Sequence, residues 1–177
     1  MTNRRVTAGD ARLIEPSVEW EAAYRDMLWE FREDRIEIMK DVGDFAAHVQ
    51  RLRDQARGTG LQEGRVPAGT YWLVRDEDGK MLGISNLRHE LTPALEDHGG
   101  HIGYGIRPSE RREGYGTLIL KLTLEKARAM GVTRALVTCD PENVASARII
   151  QKNGGVLDSE SWSPQAKRVT SRYWIDL

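Results

Sequence analysis

The sequence predicts a mixed α/β protein built around one sheet in one domain, and three observations lead there. At 177 residues the chain is long enough to bury one sizeable core. Segments with apolar residues three and four apart interleave with short alternating or fully apolar runs, so helices and strands share the chain. Neither an internal repeat nor a low-complexity linker divides it. Residues 1–10 read as a flexible polar tail and residues 11–177 as the single domain.

"ARLIEPS" gives a short strand stopped by Pro16, and Ser17 is placed to cap the helix after it. "VEWEAAYRDMLWEFRED" sets Trp20, Tyr24, Met27, Leu28 and Phe31 at helical spacing. "GDFAAHVQRLRDQARGTG" repeats the pattern, with Asp44 as cap, Phe45, Val49 and Leu52 as the stripe and glycines as the stop. "TYWLVRDEDGKMLGISNLRHEL" is two strands about an Asp-Gly turn, a β-hairpin. "LTPALEDHGG" reads as a loop or a helical turn, and "GGHIGYGIRP" as a glycine-interrupted strand ended by Pro108. "TLILKLTLEKARAMG" is a helix closed by Gly131 and "RALVTCD" a short buried strand. "NVASARIIQKNGG" is a helix capped by Asn143, and "RVTSRYWIDL" alternates as a final strand. The predicted order is β, two helices, ββ, β, α, β, α, β.

Composition narrows the function classes. The chain is 40% hydrophobic and 30% charged with a formal net charge of −1, so it lacks the electrostatic footprint of a nucleic-acid binder. No run approaches the ~20 apolar residues of a membrane helix, and the start carries no apolar signal core. Cys139 is the only cysteine, so no internal disulfide forms, and a cytoplasmic location is expected. Four scattered histidines with that cysteine show no metal-ligand spacing. Residues 15–44 hold ten acids (Glu15, Glu19, Glu21, Asp26, Glu30, Glu33, Asp34, Glu37, Asp41, Asp44) against Arg25, Arg32, Arg35 and Lys40. This is either a solvated helix face or a field that draws in a cationic substrate.

The stretch "GYGIRPSERREGYG" carries the chemistry. It lacks the Gly-Lys-Ser/Thr of a P-loop, and Pro108 stands where the dinucleotide fingerprint requires its third glycine. A third arrangement remains: a strand, a proline, then Arg-x-x-Gly-x-Gly opening a helix. Gly114 and Gly116 let the chain turn tightly and approach a ligand. The amides of Arg112, Glu113, Gly114, Tyr115, Gly116 and Thr117 are the unpaired donors of a helix N-terminus, aided by its dipole. Arg111 and Arg112 add charge suited to phosphate.

On these residues the sequence resembles the GNAT superfamily of N-acetyltransferases, whose signature Gln/Arg-x-x-Gly-x-Gly/Ala reads here Arg111-Arg112-Glu113-Gly114-Tyr115-Gly116. "HIGYGIRPSE" is similar to that family's fourth strand, and "NVASARIIQKNGG" to its second motif. The "GYGIRPSER" and "KNGG" segments also resemble a predicted-acetyltransferase subgroup. The resemblance covers residues 70–177 and implies a mixed, centrally splayed β-sheet flanked by helices. It implies acetyl-CoA as co-substrate with no metal, its pyrophosphate held by residues 111–117 and its pantetheine lying between residues 99–107 and 134–139. Ile106 and Arg107 would give main-chain contacts, and Asn143 and Ser146 would lie near the pantetheine and sulfur.

The chain departs from the family pattern at two positions. Many members carry a glutamate base where this chain has His101, which would act as base or water relay, or simply pack. Many place a tyrosine acid where this chain has Ile150, which leaves Tyr104 as a nearby phenol. Gly103 and Gly105 fit a bulge or loose packing. Cys139 reads as packing rather than as a nucleophile, and Trp20, Trp29 and Tyr24 as helix core or a substrate cage. The expected activity is acetyl transfer from acetyl-CoA to a primary amine in a ternary complex. The acceptor would be a small molecule or peptide, a cationic one if the acidic block acts as a field. No nucleic acid or membrane partner is expected, and the chain would be a monomer or homodimer. The alternative is a non-catalytic acyl-CoA sensor, and a longer acyl group is a third reading.

Overall fold

The computed structural model describes residues 10–32 and 42–177. The predicted tail and Glu33, Asp34, Arg35, Glu37, Lys40 and Asp41 lie outside the described residues, apart from Asp10. Seven strands and five α-helices are described, in chain order. They are β1 (Ala11–Ile14), α1 (Glu21–Phe31), α2 (Phe45–Arg57), β2 (Ala68–Arg75), β3 (Met81–Arg88), α3 (Pro93–Asp97) and β4 (Ile102–Ile106). Then come α4 (Tyr115–Ala129), β5 (Arg134–Cys139), α5 (Val144–Lys152), β6 (Val156–Ser163) and β7 (Arg168–Asp176).

Local chemistry sets most of these boundaries. Asp44 accepts from the amide of Ala47 to open α2, and Gly58 closes it in the left-handed region. Asn143 accepts from the amide of Ser146 to open α5. Thr92 caps α3, the short helix in "LTPALEDHGG". Two sequence expectations need correction. Ser17 makes no capping bond, because one 3-10 turn, Val18–Trp20, intervenes before α1. The segment 156–163 carries no alternating apolar pattern yet forms β6. This strand lies at the edge of its sheet, takes its bonds from β7, and leaves most of its side chains in water.

The strands form two antiparallel sheets, β1-β2-β3-β4 and β5-β7-β6. On one face Tyr24, Met27, Phe31, Phe45 and Val49 of α1 and α2 pack on Trp72, Met81 and Ile84. On the other, Leu118 and Ile119 of α4 pack on Leu73, Leu82 and Ile106. A third cluster joins the two sheets, with Leu87 and Ile102 meeting Leu120, Val137, Ile150 and Tyr173. A core bridging the sheets lets β4 and β5 part without separating the halves of the molecule. Trp29, by contrast, is 63% exposed and lies under the guanidinium of Arg32 at 3.9 Å, so it belongs to neither the helix core nor a cage.

Candidate active site

The site begins with the gap between β4 and β5. The amide of His101 donates to Leu136 O (2.7 Å), and beyond that point the two strands belong to different sheets. Tyr104, three residues further along β4, reaches Ser146, past the end of β5, so the strands run the same way and splay. Peptide groups alternate in direction along a strand. Because Arg107 N donates to Leu82 O and His101 O accepts from Arg88 N, residues 103 and 105 also bond to β3. The peptide groups of Tyr104 and Ile106 therefore face the gap. Across it, the Leu177 N to Thr133 O bond fixes the β5 alternation so that Thr138 faces the gap too. The structure thus offers an extended ligand main-chain donors and acceptors on both walls.

At the end of β4 the chain enters residues 111–117, the candidate anion loop. The described backbone bonds include none from the amides of Arg112, Glu113, Gly114, Tyr115 or Gly116, while Thr117 N donates to Gly114 O (3.1 Å). Five consecutive free amides thus run from the loop into the first turn of α4, and Thr117 does not join them. Gly114 sits at φ 96° and Arg112, unusually for a non-glycine, at φ 68°, an alternation that turns successive N–H groups inward. A Cβ on Gly116 would lie 2.6 Å from Cδ1 of Ile149 on α5, so that the end of this side chain would have to shift. The guanidinium of Arg111 turns back, its Nε donating to Ile106 O (3.0 Å), while Arg112 and Glu113 stay exposed.

The side chain of Arg107 has a role the sequence did not disclose. It is 3% exposed and pairs with Glu30, with Asp26 (2.7 Å) and with Met81 O. Its amide and carbonyl are bonded to Leu82 and Glu110, so it offers no main chain to the gap, in contrast to Ile106. Glu30 also accepts from the amide and hydroxyl of Ser109 (2.9 Å each), tying α1 to the start of the anion loop. Burial raises the Glu30 carboxyl, but the hydrogen bonds from Arg107 and Ser109 outweigh it and hold it at about 2. Asp26, Glu30, Glu21 (with Arg25) and Asp44 are thus engaged within the fold. The described acids of α1 and its flanks therefore serve mainly to hold the fold together rather than to form a free field for a cationic substrate.

The remaining candidates sort by contact. The Tyr104 hydroxyl bonds Ser146 Oγ (3.0 Å) above the capping Asn143, and burial pushes the phenol up to about 12 despite that bond. Burial likewise pushes the Cys139 thiol up, which disfavours a nucleophilic thiolate. His101 is buried, and its Nδ1 accepts from the amide of Leu136 (2.9 Å). The neutral ring then carries its proton on Nε2, which leaves no lone pair for a general base. Burial and Arg88 both lower its basicity. A Cβ on Gly103 would meet nothing within 4 Å, and the residue's φ is not positive, so packing does not demand a glycine there. Among the described residues no group of metal-binding side chains assembles.

Comparison with known proteins agrees with this fold. The acetyltransferase (GNAT) domain family matches residues 15–156. No curated protein sequence matches significantly. Among solved structures, an acetyltransferase from Salmonella typhimurium that modifies the N-terminal serine of ribosomal protein L7/L12 superimposes with TM-score 0.71 at 15% identity, covering 95% of each chain. A ribosomal L7/L12 alpha-N-protein acetyltransferase bound to coenzyme A gives 0.70 at 16% identity, over 98% of this chain and 97% of that one. The microcin C7 self-immunity acetyltransferase bound to acetyl-CoA and AMP gives 0.70 at 12% identity, over 95% and 93%.

Proposed function

This chain belongs to the GNAT acetyltransferase family, and we propose that it moves an acetyl group from acetyl-CoA directly to a primary amine. The observation that carries the proposal is the run of unpaired main-chain groups, from the amides of residues 112–116 to the gap-facing amide of Ile106 and the peptide groups of Tyr104 and Thr138. The bound co-substrate supplies an activated acyl thioester. The amides of residues 112–116, with Arg112, hold its pyrophosphate, and the gap holds its arm as an added strand. An amide facing the gap, from Tyr104 or Ile106, donates to the thioester oxygen as charge develops there. The Tyr104 hydroxyl, kept protonated by burial and oriented by Ser146, stands by the gap as proton donor to the departing thiolate, and the proton that the amine loses as the amide bond forms passes through water and restores the phenol. His101 positions β5 through Leu136 rather than taking a proton. Gly103 leaves the α2 face of β4 open for the amine, so most of the rate gain comes from alignment. No helix among the described residues is long and apolar enough to cross a membrane, and a cytoplasmic enzyme fits the lone buried thiol.

Calorimetry with acetyl-CoA and thiol release over an amine panel test the reading. Binding with turnover, both lost in Gly114→Glu, is expected. Binding without thiol release from any amine would leave the acyl-CoA sensor, and no binding would end both.

A further inference from the structure

A groove of about 810 Å3 runs between α2, the loop after it, the end of β3 and α3. Its charge is one-sided. Arg51, Arg65 and Arg88 line it, and none of the three forms an ion pair with a carboxylate among the described residues. Among the described residues of the wall the single acid, Asp54, already accepts from Gln50 Nε2 (2.9 Å). Arg88 is fixed in place because its Nη1 donates to the carbonyls of Gly99 and Gly100 (3.0 Å each). His98 also lines the groove, and its Nδ1 is buried with no partner. Burial and Arg65 together weaken the hold of Arg88 on its proton, as happens where cations gather without counter-charge.

The groove comes within one strand of β4. Asn86 is part of its wall and pairs in register with Gly103 of β4, whose missing side chain leaves that face open. Arg88 lies two residues beyond Asn86, about 7 Å along the strand. We propose that this groove seats the acceptor, and that the acceptor is an amine carrying a carboxylate or phosphate group held by Arg51, Arg65 and Arg88. The inference rests on the acetyltransferase reading and names the substrate class of the same site. It reverses the cationic acceptor expected from the acidic N-terminal helices.

Matched peptide acceptors test it by thiol release at low salt. Ala-Glu-Glu is set against Ala-Gln-Gln, and Ala-phosphoserine-Ala against Ala-Ser-Ala, with spermidine as the cationic comparison. At least one charged peptide should exceed its neutral partner about tenfold in kcat/KM, and the pair that does so tells carboxylate from phosphate. The double substitution Arg51→Gln with Arg65→Gln, on exposed side chains and checked by melting, should bring that ratio close to one through KM. Equal or better use of the neutral peptides or of spermidine, no turnover of any peptide, or a ratio unmoved by the double substitution overturns the inference. Loss of acetyl-CoA binding by the wild-type protein would instead overturn the acetyltransferase reading.

Discussion

Replacing Glu30 with glutamine should destabilise the protein by about 3 kcal/mol at pH 7 and loosen the anion loop. Its carboxyl falls from an ordinary 4.5 to about 2. A difference of about 2.5 units at 1.36 kcal/mol each gives roughly 3 kcal/mol of stability that depends on the charged form. The variant leaves Arg107, 3% exposed, with one remaining carboxylate partner, Asp26, which is 66% exposed. Losing one partner of such a pair is costly because the other charge stays out of water. For a chain of this size the melting temperature should drop by about 6–12 °C. A carboxyl whose pKa is depressed by folding contributes fully above its unfolded value, near 4.5, and loses that contribution as pH falls toward 2. The gap between wild type and Glu30→Gln should therefore be widest at pH 6–7 and narrow below about pH 4.5. Urea unfolding followed by tryptophan fluorescence at pH 7, 5 and 3.5 measures it. Calorimetry on the same samples should show weaker acetyl-CoA binding, since Ser109 loses its carboxylate acceptor. A difference under about 1 kcal/mol at pH 7, or one that does not change with pH, would refute the reasoning.

Further outcomes are expected at four positions. Gly103→Val should melt within a few degrees of wild type, because a Cβ meets nothing there, yet lose at least ~100-fold in kcat/KM by thiol release. Tyr104→Phe should lower kcat about 100-fold with little change in KM for acetyl-CoA. The wild-type kcat should show no descending limb attributable to this phenol below about pH 10, since it is held at about 12. His101→Asn keeps an acceptor for the Leu136 amide and should retain most of the rate; a loss of ~100-fold would restore the imidazole as the base. Arg112→Gly should relieve roughly 1 kcal/mol of left-handed backbone strain, seen in urea melts, while binding coenzyme A more weakly by calorimetry.

What the sequence by itself determined was local. Helical stripes, the Asp44 and Asn143 caps, the Asp-Gly hairpin and the glycines at 114 and 116 each declare themselves within a few residues, because caps, turns and periodicity are short-range physics. The anion loop is legible for that reason. The strand β6 is not, because an edge strand held by main-chain bonds needs no apolar pattern. Only the tertiary structure decided where charges meet. Along the chain Arg107 reads as a main-chain contact, and only folding sets Glu30, far off in sequence, against its side chain. The acidic block reads as a solvated face or a substrate field, yet Asp26 and Glu30 are engaged within the fold, while the arginines at 51, 65 and 88 gather at one groove. Along the chain His101 reads as a base, a water relay or a packing residue, and only the fold shows the Leu136 amide taking its lone pair. Whether a charge, a donor or a lone pair is free depends on which remote partner packing brings within hydrogen-bond distance, and no spacing along the chain encodes that.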